Sequence, residues 1–156
     1  MSLTPTSDRS HELHGNHVLL RADTLRLLLP QDEVGAALYL DAVPQPSGVP
    51  GVFEHHGAGV DQGGQPLVAL SKRMLPLDKY PQDRFVVTTI ATPLGDVGFG
   101  WSEVSVLIDQ RLHTHPVPAA LTTPDSPLRT FVEIDDQVVF CCSAAQLADF
   151  ALSSGA

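Results

Sequence analysis

An all-β barrel or sandwich is the fold class this sequence predicts, with eight to ten short strands, one C-terminal helix and little other helix. Three observations carry that expectation. Apolar runs of strand length recur along the chain, the strongest of them rich in β-branched residues. Turn signals separate them, with 12 glycines and 13 prolines spread over 156 residues. Finally, the two halves have a similar outline, each offering a hairpin, a Pro-containing connector and another strand pair, which hints at two small barrels sharing one core.

The elements follow in order. Residues 1–16 (MSLTPTSDRSHELHGN) are polar and aperiodic and are expected to form a tail, with one domain over 17–152 and a short tail at 153–156. Residues 17–22 (HVLLRA) and 25–29 (LRLLL) read as a hairpin across Asp23 and Thr24. Pro30 ends it, and Val34, Ala37 and Leu38 after Asp32 and Glu33 predict a short helix or turn weakened by Gly35. Residues 42–50 hold three prolines and form an extended connector that cannot be a central strand.

Residues 51–56 (GVFEHH) and 66–70 (PLVAL) read as strands around a loop at 57–65 with four glycines. A loop at 71–83 leads to 84–91 (RFVVTTIA), the strongest strand signal, which turns at 92–96 and returns at 97–101 (VGFGW). In 103–109, Val104, Val106 and Ile108 alternate as in a strand with one buried face. Residues 110–127, with four prolines, are expected to be an irregular link. A hairpin over 128–134 and 137–142 turns at Asp135 and Asp136, and Ser143 is placed to cap a helix over AAQLADFAL with Leu147, Phe150 and Leu152 on one face.

Composition excludes several classes. Hydrophobic residues make up 43% and charged residues 17%, too apolar for a disordered chain. The net charge of −9 and the scattered cations disfavour nucleic acid and anionic membranes as partners. No apolar run reaches the ~18 residues of a membrane helix, and no secretory signal is visible at the N-terminus. The two cysteines, Cys141 and Cys142, are adjacent; two free thiols fit a reducing cytoplasm, and alternation in a strand places one on each side of the sheet.

No motif points to catalysis. Nucleophile elbows and phosphate-binding glycine loops are missing, and Gly98 and Gly100 lie inside a strand, where a bend or close backbone approach explains them. Asp135 and Asp136 are explained by the turn. His11, His14 and His17 recur every third residue, which is not the +4 spacing of a helical zinc motif; a solvated tail is the plainer explanation. No cofactor or metal is expected. A His-rich metal-binding protein and a small-ligand or enzymatic β-barrel stay open as alternatives.

The layout resembles the chemotaxis coupling protein family (CheW-like domains) over residues 17–152. The carrying segments are LRLLLPQDEV at 25–34, PQPSGVPGV at 44–52, PLVAL at 66–70, RFVVTTIATPLGDVGFGWSEVSVLID at 84–109 and VEIDDQVVFCCSAAQLADF at 132–150. The resemblance implies two intertwined five-stranded β-barrels and no catalytic site. It also implies a cytoplasmic adaptor that holds a sensor histidine kinase against a chemoreceptor-like protein or another input. The candidate contact surface is then Val52, Phe53, His56, Gly57 and an exposed edge near Val68; taken alone, Val52, Phe53 and Val68 fit ordinary core packing equally well. The chain departs from the family at three places. His56 stands where the receptor-related Arg is expected, the loop at 58–65 is longer, and Ala69 replaces an Asp. A guanidinium is a permanent forked donor and a neutral imidazole is not, so the resemblance is to a diverged member.

Overall fold

The computed structural model describes residues 12–56, 64–123 and 125–154. Its first unit is the antiparallel hairpin β1 (Glu12–Ala22) and β2 (Leu25–Pro30), turned at Asp23 with φ 56°. β1 starts at Glu12, so the expected tail does not extend through residues 12–16. Those polar residues form strand because β9 (Glu103–His113), distant in the chain, supplies their hydrogen-bond partners (Glu12 opposite His113, Leu13 opposite Leu112). The segment expected as a short helix is only a 3-10 turn, Gln31–Glu33. Beyond it Gly35 donates its N–H to the Thr89 carbonyl at 2.9 Å, and a Cβ there would press on that same oxygen, so the chain runs extended along its neighbour.

Next come the short strands β3 (Leu38–Tyr39), β4 (Gln45–Pro46) and β5 (Phe53–His55), then β6 (Gln65–Ala69), β7 (Val86–Thr92) and β8 (Gly95–Trp101). After β9 lie β10 (His115–Pro116), a 3-10 turn at Ala119–Leu121, β11 (Thr130–Ile134), β12 (Gln137–Cys141) and the helix α1 (Ala144–Ser154). The link expected at 110–127 is therefore partly regular, because β9 continues through His113 and β10 pairs with β11.

The strands form two six-stranded sheets. The terminal sheet has the order β9-β1-β2-β12-β11-β10 and the central sheet β3-β7-β8-β6-β5-β4. Each counts one strand more than expected because two-residue edge strands join it. In each, the third and fourth strands pair in parallel and every other pair is antiparallel. Both sheets curl. Inside the terminal sheet, Leu28, Val132 and Val139 pack with Leu13, Leu19 and Leu107, which belong to strands from across the whole sheet. Inside the central sheet, Phe53, Leu67 and Val87 pack with Leu38, Leu40 and Tyr80.

A third and larger core lies between the sheets. Leu20, Leu27 and Leu29 from one side meet Val68, Ile90, Phe99 and Trp101 from the other, with Leu147 of α1 beside them. Period-two alternation produces this division: Leu27 and Leu29 face the shared core, while Leu28 between them fills the terminal sheet. The Trp101 indole N–H donates to the Thr88 hydroxyl at 2.8 Å, so its polar atom is satisfied in the core. Arg84 is fully buried; it donates to the Leu70 carbonyl at 2.8 Å and to Asp23 Oδ2 at 3.0 Å, fastening the central sheet to the β1–β2 turn.

Local chemistry explains the ends of elements. Asp135 and Asp136 take φ of 53° and 64°, the left-handed pair that a two-residue hairpin turn requires. Ser143 and Gln146 form a reciprocal capping box at the start of α1, at 3.1 and 3.2 Å, and Glu33 Oε1 accepts the Ala144 N–H at 2.8 Å. The buried helix face is Ala144, Leu147, Ala148 and Ala151, not the expected stripe through Phe150 and Leu152, which are half-buried. β9 also differs: Leu107 packs inward, while Val106 and Ile108 are exposed because β9 is the outer strand of its sheet.

Candidate functional site

Alternation along β5 separates the residues expected to form one contact surface. Phe53 and His55 point inward, and Glu54 and His56 point out. Phe53 packs edge-on against Tyr80 at 5.5 Å, inside the central sheet. Val68 is 1% exposed and lies on β6, which is paired on both sides by β5 and β8, so the exposed edge expected there does not exist. Val52 is half-buried against the shared core. His56 is exposed, its ring lying over Gly64, where a Cβ would come within 2.7 Å of Cε1. Gly57 lies outside the described residues.

The exposed apolar surface next to His56 is made by residues outside that expectation. β3 pairs with β7, Tyr39 opposite Val86, and the Leu40 N–H donates to the Phe85 carbonyl at 2.8 Å. This pairing sets Tyr39 beside Phe85, and their rings stack with centroids 6.2 Å apart and an angle of 20° between planes. Tyr39 is 72% exposed and Phe85 46%. Val43, also exposed, follows on the connector. The connector separates two clefts. One, of about 120 Å³, lies between Leu40 and His56; the other, of about 350 Å³, lies between Val43 and Phe85. Asp41 and Glu54 line the first cleft. Asp83, two residues before Phe85, stands 3.7 Å from the buried Arg84 Nε.

No sequence signal pairs Tyr39 with Phe85: one lies in the segment expected to be a short helix or turn and the other in the strand expected at 84–91. Periodicity places Phe85 in a strand and Tyr39 in a short helix or turn, and it cannot say that the two rings meet or that nothing covers them.

Beneath the surface the central sheet holds a polar row. His55 Nε2 is 2.8 Å from Gln65 Oε1, and Gln65 Nε2 donates to Thr89 Oγ1 at 3.3 Å. The Tyr80 hydroxyl donates to the Arg84 carbonyl, and burial pushes its pKa far above the ordinary phenol value. These groups hold one another and leave no nucleophile beside a base. The thiols point to opposite sides of the sheet, as alternation requires, Cys141 into the terminal sheet and Cys142 into the shared core. Burial pushes both upward, Cys142 to about 12, so both are neutral near pH 7.

The histidine triplet does not converge. His11 is outside the described residues, His14 is exposed 3.1 Å from Glu12, and His17 is buried. His113 and His115 meet edge to face with centroids 4.9 Å apart, and His115 lies tilted against Phe131 at 5.2 Å. Among the described residues, no group of three or more His, Cys, Asp or Glu is placed to hold a metal ion. No helix among them is long and apolar enough to cross a membrane. The arrangement around Tyr39 can do one thing well: bury apolar surface of another molecule, at about 25 cal/mol per Å² removed from water.

No protein-family model and no curated protein matches the sequence. Among solved structures, the chain is similar to the scaffolding protein TtCheW from Thermoanaerobacter tengcongensis, with a TM-score of 0.59 and 13% sequence identity, covering 86% of this chain and 92% of that one. At that identity the likeness establishes the shared fold of two curled sheets.

Proposed function

We propose that this chain is a non-enzymatic adaptor that couples a sensor histidine kinase to a receptor-like or other signalling input in a chemotaxis-type pathway. The observation that carries this reading is the fold likeness to a scaffolding protein over nearly the whole of both chains. The Tyr39–Phe85 face supports it: two stacked aromatics left in water, of the residue type that dominates interface energetics. His56 borders that face and belongs to the contact surface with its sequence neighbours Val52, which is half-buried against the shared core, and Gly57. Phe53 and Val68 contribute by shaping the sheet from inside. The carboxylates Asp41 and Glu54 favour a partner surface carrying cations. The two unbridged thiols fit action in a reducing cytoplasm.

The test is affinity purification of the tagged chain from its source cell, alongside a Tyr39→Ala/Phe85→Ala variant. A histidine kinase enriched about tenfold with the parent and lost with the variant is the expected result, since truncating two interface anchors costs well over the 1.4 kcal/mol of a tenfold change. Absence of any kinase or receptor above background overturns the reading.

A further inference from the structure

A coupling protein needs two surfaces that can be occupied together, and a second one exists at the far end of β7. Phe85 precedes that strand and Leu94 follows it. Seven strand residues at about 3.3 Å each separate them by roughly 23 Å, far enough for two partners to bind without collision.

Leu94 sits in the β7–β8 turn and is 95% exposed, the most exposed large hydrophobic side chain among the described residues. Between this turn and α1 runs a groove of about 450 Å³, walled by Ala91 and Leu94 on one side and Ala145, Ala148 and Leu152 on the other. The helix residues fall at i, i+3 and i+7, and the two alanines leave room for another backbone to approach closely. The charge around the groove has one sign. Among the described residues, Asp149 is the only charged one that lines it. Asp96 is opposite Ala91 in the β7–β8 register, and opposed residues share a face, so its exposed carboxylate stands on the groove side of the turn.

We propose that this groove is a second docking surface and that its occupant is a cationic amphipathic helix of a partner protein. The partner's apolar side would cover Leu94 and Leu152, and its Lys or Arg residues would meet Asp96 and Asp149. A second copy of this chain is a poorer occupant. Leu94 of each copy could enter the groove of the other, but that symmetric arrangement brings both pairs of aspartates and two net charges of −9 together. The inference deepens the adaptor reading and rests on it only for the need for two surfaces.

The experiment uses the full chain and a fluorescent synthetic helix of about 15 residues, the length at which isolated helices are marginal, with leucines on one side and lysines on its flanks. A counterpart carries glutamates in place of the lysines. Anisotropy titrations are run against the parent chain, Leu94→Ser, Asp96→Asn/Asp149→Asn and Tyr39→Ala. The lysine peptide should bind saturably and perturb the Leu94 amide in NMR spectra. Leu94→Ser should weaken binding about tenfold, as loss of one buried aliphatic anchor does. The double Asn variant should weaken it less, with a shallower salt dependence, and Tyr39→Ala should leave it unchanged. No saturable binding, equal binding of the glutamate peptide, or equal affinity of Leu94→Ser overturns the proposal. So does a concentration-dependent dimer of the parent that Leu94→Ser abolishes, which would assign the groove to a second copy. Kinase co-purification reads the Tyr39–Phe85 face instead, so failure of one reading is distinguishable from failure of the other.

Discussion

The terminal and central sheets share strand order and strand sense but not their filling. The third strand in each, β2 and β8, shows the difference most directly. β2 turns Leu28 into the terminal sheet, whose interior is otherwise valine, leucine and isoleucine with Cys141. β8 turns Gly98 and Gly100 into the central sheet. A Cβ on Gly98 would meet Val87 Cγ1 at 3.0 Å, and one on Gly100 would collide with the Tyr80 hydroxyl. The same topology thus accepts two solutions: large aliphatics on every strand, or bare backbone on one strand with an aromatic and a polar row filling the space. The second solution leaves aromatic and polar groups near the exposed Tyr39–Phe85 face; the first fills its sheet with aliphatic side chains.

Breaking the terminal sheet should have the largest effect. Leu28→Ala deletes a fully buried side chain at the centre of its interior cluster and should cost about 2–5 kcal/mol in urea unfolding. A cost near zero would mean that the terminal interior repacks freely and the contrast with the central sheet is false.

Gly100→Ala tests the other solution. The added methyl meets Tyr80 and, at 3.2 Å, the Arg84 carbonyl, so a loss of about 1–3 kcal/mol is expected. Tyr80→Phe removes the atom that collides first and should recover part of that loss in the double variant. Additive losses would show that Tyr80 is not what the missing side chain accommodates.

Smaller still is the polar row. Gln65→Leu leaves both His55 Nε2 and Thr89 Oγ1 without their Gln65 contact and should cost about 1–3 kcal/mol, near the lower end because Gln65 is half-buried.

Alkaline pH separates the sheets most gently. In the folded chain the Cys142 thiol is pushed from its ordinary 9.0 to about 12, chiefly by burial. The unfolded chain therefore loses that proton first, and stability, complete below pH 9, falls as pH rises toward 12. Tyr80, also raised by burial, adds a loss of the same sign above pH 10. Cys142→Ala should remove the part of the slope that begins near pH 9 and leave the phenol's part. An unchanged slope would show that the thiol is not protected by the fold.

How much of this was legible in the residues depended on the distance of the interactions. The strand in RFVVTTIA, the turn at Asp135 and Asp136, and the cap at Ser143 were readable because each is settled by neighbours within a few positions. The start of β1 was not, because Glu12 finds its partner at His113. Alternation showed that Val104, Val106 and Ile108 share a face but not that Val106 and Ile108 would be open to solvent. The edge near Val68, which the family resemblance implied, is closed by β5 and β8, and a strand in place of the expected helix or turn at Leu38–Tyr39 set Tyr39 beside Phe85.

By itself the sequence determined an all-β chain, the positions of its tight turns and its one capped helix, since backbone preference and capping are local physics. Only the tertiary structure determined which strands became interior, that β2 joins β12 and β6 joins β8 in parallel, and which aromatics stayed in water. Those outcomes depend on surfaces supplied by distant segments: a period of two gives every strand two faces, and packing alone chooses the one that is covered.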